Sequence, residues 1–231
     1  MITITDLRCA YGERTVLDIP NCTFAPGVHG LVGLNGAGKS TLLNALYGFG
    51  RNSEARVQWK GEDMNHRNTA FQEAENYFHP GITGREYLEL FMSGKGASDV
   101  HVLNDLLEVP LDALITPYST GMKRKLALLG ALCLGRDVLL LDEPMNGLDL
   151  ASVRVLEAII RRLAERGRTV LITSHVLGPL VTLCDRIHLL QHGRFERVFE
   201  RCDTAGLEEA LFAELDERTA QLMTSWQDPS V

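Results

Sequence analysis

With 231 residues, 45% of them hydrophobic, the chain can bury a sizeable core as one domain carrying an inserted subdomain. Its formal net charge of -7 argues against a free-standing nucleic-acid binder, because phosphate contacts need clustered Lys and Arg. Cys9, Cys22, Cys133, Cys184 and Cys202 are odd in number and lack CxxC spacing, so neither a zinc site nor a disulfide framework is indicated; they are expected reduced and mostly packed in the core.

The N-terminal run MITITDLRCAYG alternates like a strand and lacks the apolar core of a signal peptide, which predicts a cytoplasmic protein. Residues 1–32 read as short strands with turns at Tyr11-Gly12-Glu13 and Ala25-Pro26-Gly27. Then comes Gly33-Leu34-Asn35-Gly36-Ala37-Gly38-Lys39-Ser40-Thr41, a glycine loop between an apolar segment and a helical one that ends around Gly48. This is the strand, loop and helix of a P-loop. Its backbone N–H groups and the helix N-terminus form a nest for two phosphates, Lys39 reaches the β- and γ-phosphates, and the Ser40 hydroxyl is placed to ligate Mg²⁺. Thr41 falls in the helix, without an assigned phosphate role.

A strand pair is predicted to flank Lys60-Gly61, and helical periodicity runs from Arg85 to Leu114 through Tyr87, Leu88, Leu90 and Phe91, then Val102, Leu103, Leu106 and Leu107. After Pro117 a helix reaches Leu132, and its basic run Lys123-Arg124-Lys125, like Arg161-Arg162 later, reads as a solvated helix face. The longest apolar stretch, Leu126 to Leu141, is interrupted by Arg136 and Asp137 and falls short of the roughly 20 residues of a transmembrane helix. Val138 to Leu141 reads as a parallel strand covered on both faces. It runs into Asp142-Glu143-Pro144, a Walker B ending: Asp142 is expected to hold Mg²⁺ through its water shell, and Glu143 to face the attacking water as general base or polariser. Two acids marking a strand end entering a turn are the plainer alternative. A helix from Ala151 to Arg166, a strand at Thr169 to Thr173 and a strand pair around His192-Gly193 follow, and residues after Cys202 read as an amphipathic helix. His175 leaves the strand at Thr173-Ser174, where it can donate to a γ-phosphate or act as a surface cap. His188 and His192 are four apart, but in a strand and turn, which makes a helical metal face improbable.

The set Gly33 to Thr41, Tyr118-Ser119-Thr120-Gly121-Met122, Asp142-Glu143-Pro144, Asn146-Gly147-Leu148-Asp149 and His175 resembles the ATP-binding cassette (ABC) ATPases over nearly the whole chain. The expected fold class is α/β: a P-loop NTPase core with a mixed sheet, an N-terminal antiparallel β subdomain and an inserted helical subdomain. Residues 1–84 and 136–202 form the expected core, 85–135 the helical subdomain and 203–231 a helical tail. The resemblance implies a head-to-tail homodimer or heterodimer of cassettes sandwiching two ATPs, with Ser119 and Gly121 touching the γ-phosphate in trans. It also implies that Asp149 crosses the dimer interface, His175 is the switch histidine, Tyr11 stacks on adenine, and Gln72 senses Mg²⁺ and couples to a membrane subunit. Tyr11 as a turn residue is the alternative. The family's usual signature has two glycines and then glutamine, whereas here Thr120 and Met122 stand at the first-glycine and glutamine positions, and a β-branched Thr120 narrows the backbone conformations open beside the phosphate. Tyr77-Phe78-His79-Pro80 is expected on the surface that receives a partner's coupling helix, with packing against the helical subdomain as the alternative.

The expected function is the cytoplasmic ATPase subunit of an exporter, peripheral at the inner face of the cell membrane, whose transmembrane permease subunits are separate chains. Mg²⁺ is its cofactor, ATP its substrate, and nucleic acid is not a partner. A cassette acting on ribosomes or DNA is the rival, but such proteins carry paired cassettes or long coiled-coil insertions for which the chain has no room. A P-loop GTPase would need an Asn-Lys-x-Asp loop, which is missing, and an inert cassette is disfavoured by intact Glu143 and His175.

Overall fold

The computed structural model describes residues 1–92, 97–201 and 206–225. Strands β1 (Ile2–Tyr11) and β2 (Arg14–Phe24) form an antiparallel hairpin. Ile2, Ile4, Leu7 and Cys9 of β1 are buried, and the register slips between Cys9 and Ala10. After β3 (Gly27–Val32) and helix α1 (Lys39–Tyr47), β4 (Arg56–Trp59) and β5 (Glu62–Asp63) complete a four-stranded sheet in the order β2-β1-β4-β5.

The remaining elements are β6 (Thr69–Gln72), α2 (Gly84–Glu89), α3 (Ala97–Leu107), α4 (Thr120–Cys133), β7 (Val138–Leu141), α5 (Leu150–Glu165), β8 (Thr169–Thr173), α6 (Leu177–Leu183), β9 (Arg186–Gln191), β10 (Arg194–Glu200) and α7 (Leu207–Ser225). A six-stranded sheet runs β10-β9-β3-β8-β7-β6, parallel except for β10, which returns antiparallel beside β9. Alternation along β7 splits the core: Val138 and Leu140 pack toward the first sheet and α1, whereas Leu139 and Leu141 pack with residues of α4 and α5. A strand buried on both faces must read as an unbroken apolar run, as this one does. The fold is therefore the expected α/β arrangement.

The helical stretch expected over Arg85 to Leu114 is two shorter helices, α2 and α3. The first starts on a capping box in which the Thr83 hydroxyl accepts from the Glu86 N–H and the Glu86 carboxylate accepts from the Thr83 N–H. Leu90, Val102 and Leu106 belong to the apolar pattern yet are exposed. Strand β6 and helix α6 were not expected from the sequence. Cys9, Cys133 and Cys184 are buried and Cys22 is partly so, all four as free thiols, while Cys202 lies outside the described residues, as do parts of the expected tail. His188 is buried and its Nε2 lies 3.0 Å from His29 Nδ1. Among the described residues no helix is long and apolar enough to cross a membrane.

Candidate active site

Because β3, β6, β7 and β8 are parallel, their C-terminal ends share one edge, where loops of an open α/β sheet build ligand sites. The glycine loop leaves β3, Gln72 ends β6, Asp142 and Glu143 follow β7, and His175 lies two residues past β8. Pairing of Gln72 with Leu141 and of Leu141 with Ile172 sets these ends side by side. A cavity of about 400 Å³ there is lined by Asn35, Gly36, Gly38, Lys39, Ser40 and Thr41, and by Arg14, Val16, Ala74, Glu143 and His175.

Gly38 caps α1 in the left-handed region at φ +106°, and a Cβ there would stand 2.7 Å from Leu17 Cδ2, so glycine is required. No side chain caps α1, which leaves its first N–H groups for an anion. Lys39 is buried and its Nζ donates to the carbonyls of Gly33 (2.7 Å) and Leu34 (3.3 Å). Burial lowers the pKa of this ammonium, while Glu143 and Asp142 oppose that shift.

Asp142 and Glu143 are buried and share one hydroxyl: Thr173 donates to Asp142 Oδ1 at 2.5 Å and accepts the Glu143 N–H at 2.8 Å. Glu143 adopts φ +49°, a left-handed conformation disfavoured for a residue with a side chain. The His175 N–H donates to Glu143 Oε2 at 3.2 Å. His175 Nε2 lies 3.1 Å from Glu143 Oε1 but off the line of a hydrogen bond, so this buried oxygen has no donor among the described residues. Burial pushes the Glu143 carboxyl above the ordinary range, with His175 pulling the other way and Asp142 adding to the rise. Gln72 is also buried; its Nε2 donates to the Arg124 carbonyl at 3.4 Å, and its Oε1 has no donor among the described residues.

Ser119, Thr120, Gly121 and Met122 do not line this cavity. Ser119 caps α4 by accepting the Met122 N–H, and a Cβ on Gly121 would stand 2.7 Å from the Gly147 carbonyl oxygen, so the segment is packed against the loop that leads to Asp149. Asp149 caps α5 through the Ser152 N–H at 2.8 Å and lies 3.7 Å from Lys125 Nζ. The basic run at 123–125 is thus not the solvated face expected. Arg124 is half-buried and donates to the carbonyls of Glu143 and Ala74.

Tyr11 is 67% exposed and lines neither this cavity nor the adjoining one formed by Arg14, Leu34, Ala37 and His192, whereas Arg14, its cross-strand partner, lines both. Tyr77 is exposed, as expected, with its ring against His79, but Phe78 turns inward onto Tyr87. Sequence reasoning missed Thr173, Arg124 and Arg14. Strand pairing was the available signal for Thr173, since the residue after Leu141 must neighbour the residue after Ile172.

The profile of the family described as "ABC transporter" matches residues 18–146. The chain is 32% identical over 208 residues to an uncharacterized ABC transporter ATP-binding protein, YybJ, of Bacillus subtilis, covering 85% of this chain and 95% of that one. It is 33% identical to the Nod factor export ATP-binding protein I of Paraburkholderia xenovorans, covering 84% of this chain and 68% of that one. A solved ATP-binding subunit of an ABC transporter shares the fold with a TM-score of 0.80 at 24% identity, covering 96% of this chain and 99% of that one.

Proposed function

The chain belongs to the ABC transporter family as an ATP-hydrolysing, ATP-binding protein, and from that premise we propose that it powers export through separate membrane-spanning subunits. It would work at the inner face of the cell membrane. The named relative in Nod factor export supports the direction. In this reading the chain is one cassette, with residues 1–84 and 136–202 as core, 85–135 as helical subdomain and 203–231 as tail.

One observation carries the chemistry: Glu143 lines the cavity with the glycine loop, and its buried Oε1 has no hydrogen-bond donor among the described residues. The loop N–H groups, the start of α1 and Lys39 bind the β- and γ-phosphates. Lys39 exchanges its carbonyl partners for phosphate oxygens. Glu143 orients a water and takes its proton as the water oxygen attacks the γ-phosphorus and the bond to the β-phosphate oxygen breaks. A carboxyl with a raised pKa is a stronger base for that step. His175 donates to the γ-phosphate.

Ser40, Asp142 and Gln72 present oxygen donors at one sheet edge, and Gln72 Oε1, without a hydrogen-bond donor among the described residues, fits a hydrated hard cation such as Mg²⁺. When bound, Mg²⁺ would neutralise charge developing between the β- and γ-phosphates. Ser119, Thr120, Gly121 and Met122 do not line their own chain's cavity, which supports their serving the site of a second cassette in a homodimer or heterodimer. Asp149 would lie in that interface.

Glu143→Gln should abolish most hydrolysis and trap an ATP-bound dimer, read by turnover and by size-exclusion chromatography with Mg·ATP. Near-normal turnover would remove Glu143 from the mechanism. The same variant, tagged and solubilised gently from native membranes, should bring down a polytopic membrane protein in stoichiometric amount. Ribosomal or DNA-bound partners without such a subunit would overturn the transporter reading.

A further inference from the structure

Arg124 has no carboxylate partner within ion-pair distance among the described residues, although it is half-buried beside Asp142 and Glu143. Its guanidinium is spent on two main-chain carbonyls that are distant in sequence: Glu143, at the end of β7, and Ala74, two residues after Gln72, at 2.7 Å. Its own carbonyl accepts the Gln72 side chain at 3.4 Å. Two segments, the one after β7 and the one around Gln72, therefore meet on one residue of α4, the helix that Ser119 caps. A fork of fixed geometry can hold two acceptors at once, which a lysine ammonium on a flexible stem does poorly.

The Glu143 carbonyl belongs to the residue whose φ of +49° an L side chain rarely adopts, and such a conformation persists only where its surroundings over-determine it. The Thr173 hydroxyl fixes the Glu143 N–H on one side, and Arg124 fixes its carbonyl on the other. The carboxylate is aimed by the backbone between these two bonds.

We propose that Arg124 is a positioning residue for hydrolysis, clamping the Glu143 and Ala74 carbonyls together so that the aim of the Glu143 carboxylate depends on the placement of α4 and of the segment after Gln72. The inference rests on Glu143 being the base. It gives the two segments through which a second cassette and a membrane subunit would act a direct mechanical hold on that base.

The test uses the full chain with Arg124→Met, which keeps an apolar stem without donors, and Arg124→Lys, which keeps charge and reaches one carbonyl. Turnover of Arg124→Met should fall on the order of 10- to 100-fold, as for a misaimed catalytic group, while the ATP dissociation constant, measured with a fluorescent ATP analogue, stays within about threefold. Arg124→Lys should lie between the variant and the parent. A purely structural staple would instead lose ATP affinity and turnover together, and that result overturns the proposal. So does turnover of Arg124→Met within about twofold of the parent. Should Arg124→Met fail to fold, Arg124→Lys decides alone by the same criterion. Glu143→Gln run alongside separates the failures: if it is inert while the Arg124 variants turn over normally, only this inference falls, and if it turns over, the assignment of the base falls first.

Discussion

Replacing Thr173 by Val keeps the shape of a fully buried side chain and deletes the hydroxyl that joins the two acids. Two costs follow. Asp142 Oδ1 loses a hydrogen bond of the charged class, worth about 1.5–3 kcal/mol, and the buried Glu143 N–H loses its acceptor, worth about 1–3 kcal/mol. These are not independent, because the same backbone can shift to relieve both, so a destabilisation of about 3 kcal/mol is expected. For a chain of this size that is roughly 6–12 °C in thermal midpoint. Thr173→Ser keeps the hydroxyl and removes one methyl, which should cost only about 1 kcal/mol. Thermal melts by circular dichroism, with urea titrations to check that the denaturant slope is unchanged, read both variants. The reasoning is refuted if Thr173→Val melts within about 0.5 kcal/mol of the parent, or if Ser is as damaging as Val.

Three further outcomes are expected. Glu143 has its pKa raised by burial in the ATP-free chain, so kcat/KM for ATP should fall on the acid side at a pH above the ordinary carboxylate value of 4.5; an acid limb at or below that value would contradict it. Burial lowers the pKa of His188 to about 3 and also lowers that of His29, so both stay neutral in the fold and protonate on unfolding below pH 6.5. The His188 contribution is complete above pH 6.5 and is lost as pH falls toward about 3, at about 1.4 kcal/mol per pH unit, and that of His29 is lost in the same direction; His188→Phe should flatten urea stability across that range, and an unaltered slope would count against this reading. Since Arg14 lines the glycine-loop cavity and Tyr11 does not, Arg14→Ala should weaken ATP binding in calorimetry more than Tyr11→Ala, whose loss is expected at no more than roughly 0.5 to 1.5 kcal/mol; the reverse ranking would restore Tyr11 to the base.

The glycine loop, β7 and β8 were legible because both strands are covered on two faces and their sequences have no polar interruption. Strand β6 was not: Thr69-Ala70-Phe71-Gln72 is four residues long and carries no apolar run. Helix α6 contains Gly178-Pro179, which reads as a break; the structure tolerates the proline because it falls in the first turn, where its missing N–H has no intrahelical partner. Arg124 was misread for a different reason. A charge on a short basic helical run is usually solvated, and only the tertiary arrangement brings the Glu143 and Ala74 carbonyls within its reach. The left-handed Glu143 is equally invisible from sequence, since the residue type gives no hint of a conformation imposed by its neighbours.

The segment Ser119 to Met122 does not line the cavity formed by its own chain's glycine loop, and this has a genetic consequence. On the dimer reading each chain owns two halves of different sites. A copy broken at Lys39 and a copy broken at Gly121 would each be inactive when expressed alone. Expressed together, they would also form mixed pairs, in which one site carries both lesions and the other neither, so two dead alleles should complement. Two copies broken at the same position should not.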